Sequence, residues 1–187
     1  ATNTQPQDHR QEILKDVRIK TFGAVRLKDI RVPLLSIEAT MVHTTGTLKT
    51  LRTQIKGSLF LEKESTLITQ TLMSSGRHML VGKKSKLMTD ELLTHADNMR
   101  NFGQISTQNW NGQLEHFENT QGAEITLTGR HRVGVMKAAR VTNAGTVSNA
   151  GFAWEINTSE ITNHGDMAGI DADLLNEGIV TNHGTLS

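Results

Sequence analysis

Apolar and polar residues alternate with period two along most of this chain, in short runs broken at nearly equal intervals. Such runs predict half-buried strands. At the breaks one seven-residue pattern recurs: apolar, spacer, Asn, spacer, Gly, spacer, apolar. It is clearest at 141–147, 161–167 and 180–186, and 99–105 obeys it. A stretched copy runs from Phe117 through Asn119 and Gly122 to Ile125, and degenerate earlier copies keep the frame around Gly23, Gly46, Ser65 and Ser85. The nine Gly/Ser anchors, at 23, 46, 65, 85, 103, 122, 145, 165 and 184, are 18 to 23 residues apart. A period near twenty is the mark of stacked repeats.

About three short strands per repeat, joined by tight corners, wind into a coil whose strands pair in parallel with the next coil ~4.8 Å away. The expected fold is therefore all-β, a right-handed parallel β-helix of about nine coils, forming one domain over 13–187 after a polar lead-in at 1–12. Equivalent residues of successive coils lie above one another. Ile19, Val42, Leu61, Val81, Met99, Phe117, Val141, Ile161 and Val180 then form one inner column. Val25, Leu48, Leu67, Leu87, Ile105, Ile125, Val147, Met167 and Leu186 form another. Asn101, Asn143, Asn163 and Asn182 stack as an amide ladder at the corner. Gly103, Gly145, Gly165 and Gly184 follow them, where positive φ or close backbone approach is needed.

Other local signals refine this. Pro33 cannot donate to a ladder and marks a strand end. Gly57 and Gly76 each fall eleven residues after an anchor and suggest a second corner. Residues 90–99 also fit a helix, with Leu92, Ala96 and Met99 on one face. The repeat register, in which Met99 already has a place, favours strand. A leucine-rich repeat has a similar period but needs a regular leucine set that the intervals lack.

Composition supports a narrow aliphatic core: five Phe, two Trp and no Tyr among 187 residues. With 20 basic and 19 acidic residues the net charge is +1, which argues against nucleic acid as the defining partner. There is no cysteine, hence neither disulfides nor a thiolate metal site. No apolar run reaches the ~20 residues of a membrane-spanning helix. The polar opening at 1–10 carries no export signal, so either that signal was removed or the chain is an excerpt.

The copies of Asn-x-Gly-Thr-Leu/Val from about Met99 to Ser187, with the extra stretch at 174–180, resemble the repeats of filamentous haemagglutinins. Those are exported bacterial proteins of two-partner secretion, including adhesins and contact-dependent inhibition effectors. The family's secretion domain typically carries an Asn-Pro-Asn-type motif. Pro6 and Pro33 are the only prolines here and neither follows Asn, so the resemblance is to the shaft. It implies a secreted or cell-surface protein, an outer-membrane transporter as export partner, and a host or bacterial receptor or glycan as contact. Because the best copies reach the last residues, the sequence leads one to expect either further coils or end-to-end self-association.

An enzyme is the rival reading, since β-helices also carry polysaccharide lyases and hydrolases. Asp166, Asp171, Asp173 and Glu177 are the best carboxylate cluster, but outward carboxylates are by default solvated, and no calcium loop frames them. His164 and His183 share one slot of successive copies; two imidazoles without a third ligand make no metal site. No cofactor and no catalytic set is expected. Trp110, between Asn109 and Asn111, is a candidate surface contact for sugar or protein, unless it folds back over the coil.

Overall fold

A computed structural model describes residues 15–129, 134–149 and 154–187, with the backbone alone for 170–177. The lead-in at 1–12, with Ile13, lies outside these described residues. The first strands are β1 (Val17–Lys20), β2 (Ala24–Arg31), β3 (Leu34–Lys49), β4 (Arg52–Leu61) and β5 (Thr66–Val81). The middle of the chain forms β6 (Lys86–Asn101), β7 (Gln104–Asn119), β8 (Glu124–Leu127), β9 (Val135–Asn143) and β10 (Thr146–Asn149). The last are β11 (Trp154–Asn163), β12 (Asp166–Met167), β13 (Ile170–Asn182) and β14 (Thr185–Leu186). All fourteen belong to one sheet whose recorded pairings are parallel.

That sheet winds into a β-solenoid of about 8 turns with a ~19-residue period, and no described residue is helical. The first expected anchor is misplaced: Gly23 lies opposite Thr40 on another corner, and Asp29 stands against Gly46 in its stead. Counted from Asp29 to Gly184, nine corners bound eight turns. Each turn has three faces, legible in the register of β6. On the first face Glu91–His95 lies between Thr71–Ser75 of β5 and Asn109–Gln113 of β7. The second pairs 98–101 with 78–81 and 116–119; the third pairs 86–89 with 66–69 and 104–107. Residues 90–99 are thus strand, with Leu92 and Met99 fully buried.

The three corners are made differently. From third face to first, Thr69, Thr89 and Thr107 turn inward, and each hydroxyl shares its one proton between a carbonyl of the preceding turn and one two residues ahead. This satisfies carbonyls that the bend takes out of the ladder. From first face to second, the chain bulges between Lys56 and Leu59, where Gly57 and Gly76 lie against the preceding backbone. Pro33 falls between β2 and β3 and accepts from the Leu51 and Arg52 amides through its carbonyl. The corner from second face to third carries the Asn and Gly residues.

Inside run two continuous apolar columns. The first runs Val25, Val42, Leu59, Met79, Met99, Phe117, Val141, Ile161 and Val180. Leu61 and Val81, expected there, stand two positions on, in register with Asn101, and Ile19 pairs with Ile37 on the first face, because parity along the strand alone does not fix the register. The second column starts at Ile30, not Val25, and continues through Leu48, Leu67, Leu87, Ile105, Ile125, Val147, Met167 and Leu186. From Val42 to Ile161 in the first and from Leu48 to Met167 in the second these side chains are buried. Each such side chain contributes ~1.5–3 kcal/mol relative to exposure. Toward the two ends of the described residues Ile19 and Val25 are half-buried, and Val180 and Leu186 are 40% and 39% exposed.

Candidate functional site

The corner after the second face is the most organised polar structure among the described residues. Asn101, Asn119, Asn143, Asn163 and Asn182 occupy one register position in successive turns. Their amides form an unbroken chain in which each Nδ2 donates to the next Oδ1: Asn101 to Asn119 at 2.9 Å, Asn119 to Asn143 at 2.7 Å, Asn143 to Asn163 and Asn163 to Asn182 at 2.8 Å. The same nitrogens also donate to carbonyls just past the next corner, at Glu124, Thr146, Asp166 and Thr185. The Oδ1 atoms of Asn101, Asn163 and Asn182 accept from the amides of Gly103, Gly165 and Gly184. The first four side chains are fully buried and Asn182 is exposed. An amide buried without partners would cost ~2–7 kcal/mol, so this satisfaction is what lets polar groups line a core.

The glycines act by close approach. None of Gly103, Gly145, Gly165 and Gly184 has positive φ. A Cβ on Gly165 would stand 2.1 Å from the Gly145 carbonyl oxygen, and one on Gly184 2.0 Å from that of Gly165. Asn119, part of the stretched copy but left out of the expected ladder, joins it, and Ala123 rather than Gly122 holds the place of Gly103 and Gly145, since Glu124 pairs with both Gln104 and Thr146.

Trp110 is not a surface contact. It points into the core, fully buried, and its Nε1 donates to Thr94 Oγ1 at 3.0 Å. Its polar neighbours, Asn109 and Asn111, are the outward partners that alternation places beside an inward residue. Trp154, two turns on, stacks against it with ring centroids 4.9 Å apart and planes 26° apart. Gly134 lies in the turn between them with φ +98°, and a Cβ there would be 2.2 Å from the Trp110 carbonyl oxygen. Gly134 puts no side chain between the two indoles, and Phe117 lies edge-on to both rings.

The other candidates separate. His164 and His183 stack in the open, centroids 5.0 Å apart, and no described group of three His, Cys, Asp or Glu could hold a metal ion. Asp166 is exposed, and the side chains of Asp171, Asp173 and Glu177 lie outside the described residues. On the first face an open recess of about 480 Å³ crosses several turns, lined among others by Gln54, Met73, His95, Gln113 and Lys137. Neither the scan of protein-family models nor the searches of curated proteins and solved structures matches this chain.

Proposed function

We propose that the chain is a structural and adhesive β-solenoid segment of a secreted, surface-displayed bacterial exoprotein. In this reading it leaves the cell through an outer-membrane transporter of the two-partner type and meets a host or bacterial receptor or glycan. The observation that carries the reading is the buried amide ladder, which ties successive turns together in addition to their main-chain bonds. Bending such a stack requires those buried bonds to break together, so the shaft is stiff. Its eight turns span roughly 40 Å at ~4.8 Å each. The haemagglutinin-like repeats supply the biological setting.

Two measurements test this. Small-angle scattering of the purified chain should give a rod of that length, or whole multiples of it. The fluorescently labelled chain should bind cells saturably. Depolymerisation of a uronate polysaccharide by the purified chain would replace this reading with a β-helical lyase or hydrolase.

A further inference from the structure

The corner between second and third faces changes length along the stack. It takes four residues at 62–65 and at 82–85, two at 102–103, four again at 120–123, and two in each later turn. The short corner at Phe102 and Gly103 is therefore set back between two longer ones. The result is an open notch of about 740 Å³. Lys83 and Lys84 stand on one wall with Lys86 at its base, Gln121 stands on the other wall, and Phe102 and Gln104 line the floor. Phe102 is 38% exposed, a large apolar ring left uncovered at the bottom of a polar recess.

The lining is cationic. It holds three lysines and no carboxylate, in a chain whose 20 basic and 19 acidic residues nearly balance. Lys84 is shared with Glu64, 3.8 Å away. Among the described residues Lys83 and Lys86 have no ion-pair partner. At the rim Glu124 is engaged by Gln104, which donates to it at 3.0 Å. The backbone amides of Phe102, Gln104 and Thr120 are already bonded to the preceding turn. An incoming peptide strand thus finds no free ladder there, and recognition falls to side chains. Ammonium groups, primary amides and an exposed aromatic face together suit a ring with an apolar face, hydroxyls and a fixed negative charge.

We propose that this notch binds a negatively charged saccharide residue of a surface glycan, its anionic group held between Lys83 and Lys86 and its C–H face lying on Phe102. The inference rests on the adhesive reading only for where the glycan is found; the notch itself stands on its geometry and charge.

Calorimetric titration of the purified chain tests it with four probes: a galacturonate tetrasaccharide, a sulfated disaccharide, an uncharged tetrasaccharide and hexaglutamate. At least one acidic saccharide should bind saturably, identifying carboxylate or sulfate as the group held, and weaken in about 1 M salt, where screening falls to ~3 Å. Lys83→Ala with Lys86→Ala should weaken it about tenfold, and Phe102→Ala by a similar factor. All three positions are on the surface, and an unchanged melting curve shows that the variants fold. The proposal is overturned if no acidic saccharide binds, if the uncharged one binds as well, if hexaglutamate competes equally, or if the variants bind like the parent. A chain that fails this titration yet coats cells keeps the adhesive reading and loses the notch. One that binds the saccharide and coats no cell does the reverse.

Discussion

The same slot before the same corner holds different chemistry in the earlier and later turns. In the earlier turns it is Leu61 and Val81; from Asn101 onward it is asparagine, in register with them. The earlier corners are closed by the main chain, Ser65 N donating to Glu62 O at 3.1 Å and Ser85 N to Gly82 O at 3.0 Å. Buried hydroxyls then tie neighbouring turns, both Ser65 and Ser85 donating to the Glu62 carbonyl. A hydroxyl has one proton to give, so four residues are needed to close the corner. An amide has two protons and two lone pairs, and can bond the next amide, the next turn's carbonyl and its own glycine. With that help two residues suffice. Asn119 is the mixed case: its amide sits in the ladder, yet its corner keeps four residues and the Ala123-to-Thr120 main-chain bond at 3.0 Å. The amide therefore permits a short corner without imposing one, and the notch exists because the two kinds of corner alternate there.

Exchanging the occupants of that slot should give the largest effect and break the comparison if it is mistaken. Asn143→Leu removes a central rung, leaving Asn119 Nδ2, Asn163 Oδ1 and the Asp166 carbonyl short of partners. At ~1–3 kcal/mol for each buried group left unsatisfied, the expected cost is about 3–5 kcal/mol in urea unfolding. The reverse change, Val81→Asn, places an amide over Asn101, whose Oδ1 can accept from it. That partial satisfaction should hold the cost to about 1–2 kcal/mol. Equal costs would mean that the slot cares about size alone.

Glycine position sharpens the contrast between short and long corners. At Gly103 a Cβ would lie 2.4 Å from the Ser85 carbonyl oxygen, whereas at Gly122 nothing lies within 4 Å and only the φ of +76° opposes a side chain. Gly103→Ala should cost about 2–3 kcal/mol by forcing two turns apart. Gly122→Ala should cost about 1 kcal/mol. Thermal melts of the pair would show the ranking, and a reversed order would mean the corners do not approach as described.

The serine corner comes next. Ser85→Ala removes the hydroxyl bond to Glu62 O and the acceptor 3.3 Å from Ser65 N, which keeps its main-chain bond to Glu62 O, for about 1 kcal/mol. A loss as large as that from Asn143→Leu would make hydroxyl and amide stitching equivalent and remove the explanation of corner length.

What the sequence revealed follows the same division. Alternation and the anchor period were enough for the solenoid, because each turn repeats its own pattern and needs only its neighbours. Thr69, Thr89 and Thr107 recur at the repeat spacing and were readable in principle, as the second set of corner residues. Trp110 was harder: parity switches at each corner, and polar flanks look like surface unless the switch is placed between Thr107 and Trp110. Its pairing with Trp154 depends on Gly134 one turn away, outside any local pattern. The notch depends on comparing corner lengths, which requires knowing where strands end rather than where the repeat recurs.

The smallest expected effect concerns charge, and it bounds where pH can act. The amide ladder contains no titratable group, so its contribution should not change with pH. At the outer rim of the earlier turns Lys20 Nζ donates to the Glu38 carboxylate at 2.9 Å. That hydrogen bond first, then the charge of Lys20 and more weakly that of Lys56, hold the Glu38 pKa below its ordinary value against a small opposing desolvation. A depressed carboxylate pKa means that the unfolded chain binds the proton more readily than the folded one. The pair's contribution is therefore fully present above the ordinary glutamate value and is lost as pH falls through the lowered one. Both side chains are largely in solvent, where such pairs contribute little. Glu38→Gln should accordingly melt slightly below the parent at neutral pH and coincide with it in strong acid, while Asn143→Leu keeps its full deficit at both. Melting curves of the two variants across that acid range would separate them. A deficit of Asn143→Leu that closed in acid would place a titrating group in the ladder and contradict its wholly neutral construction.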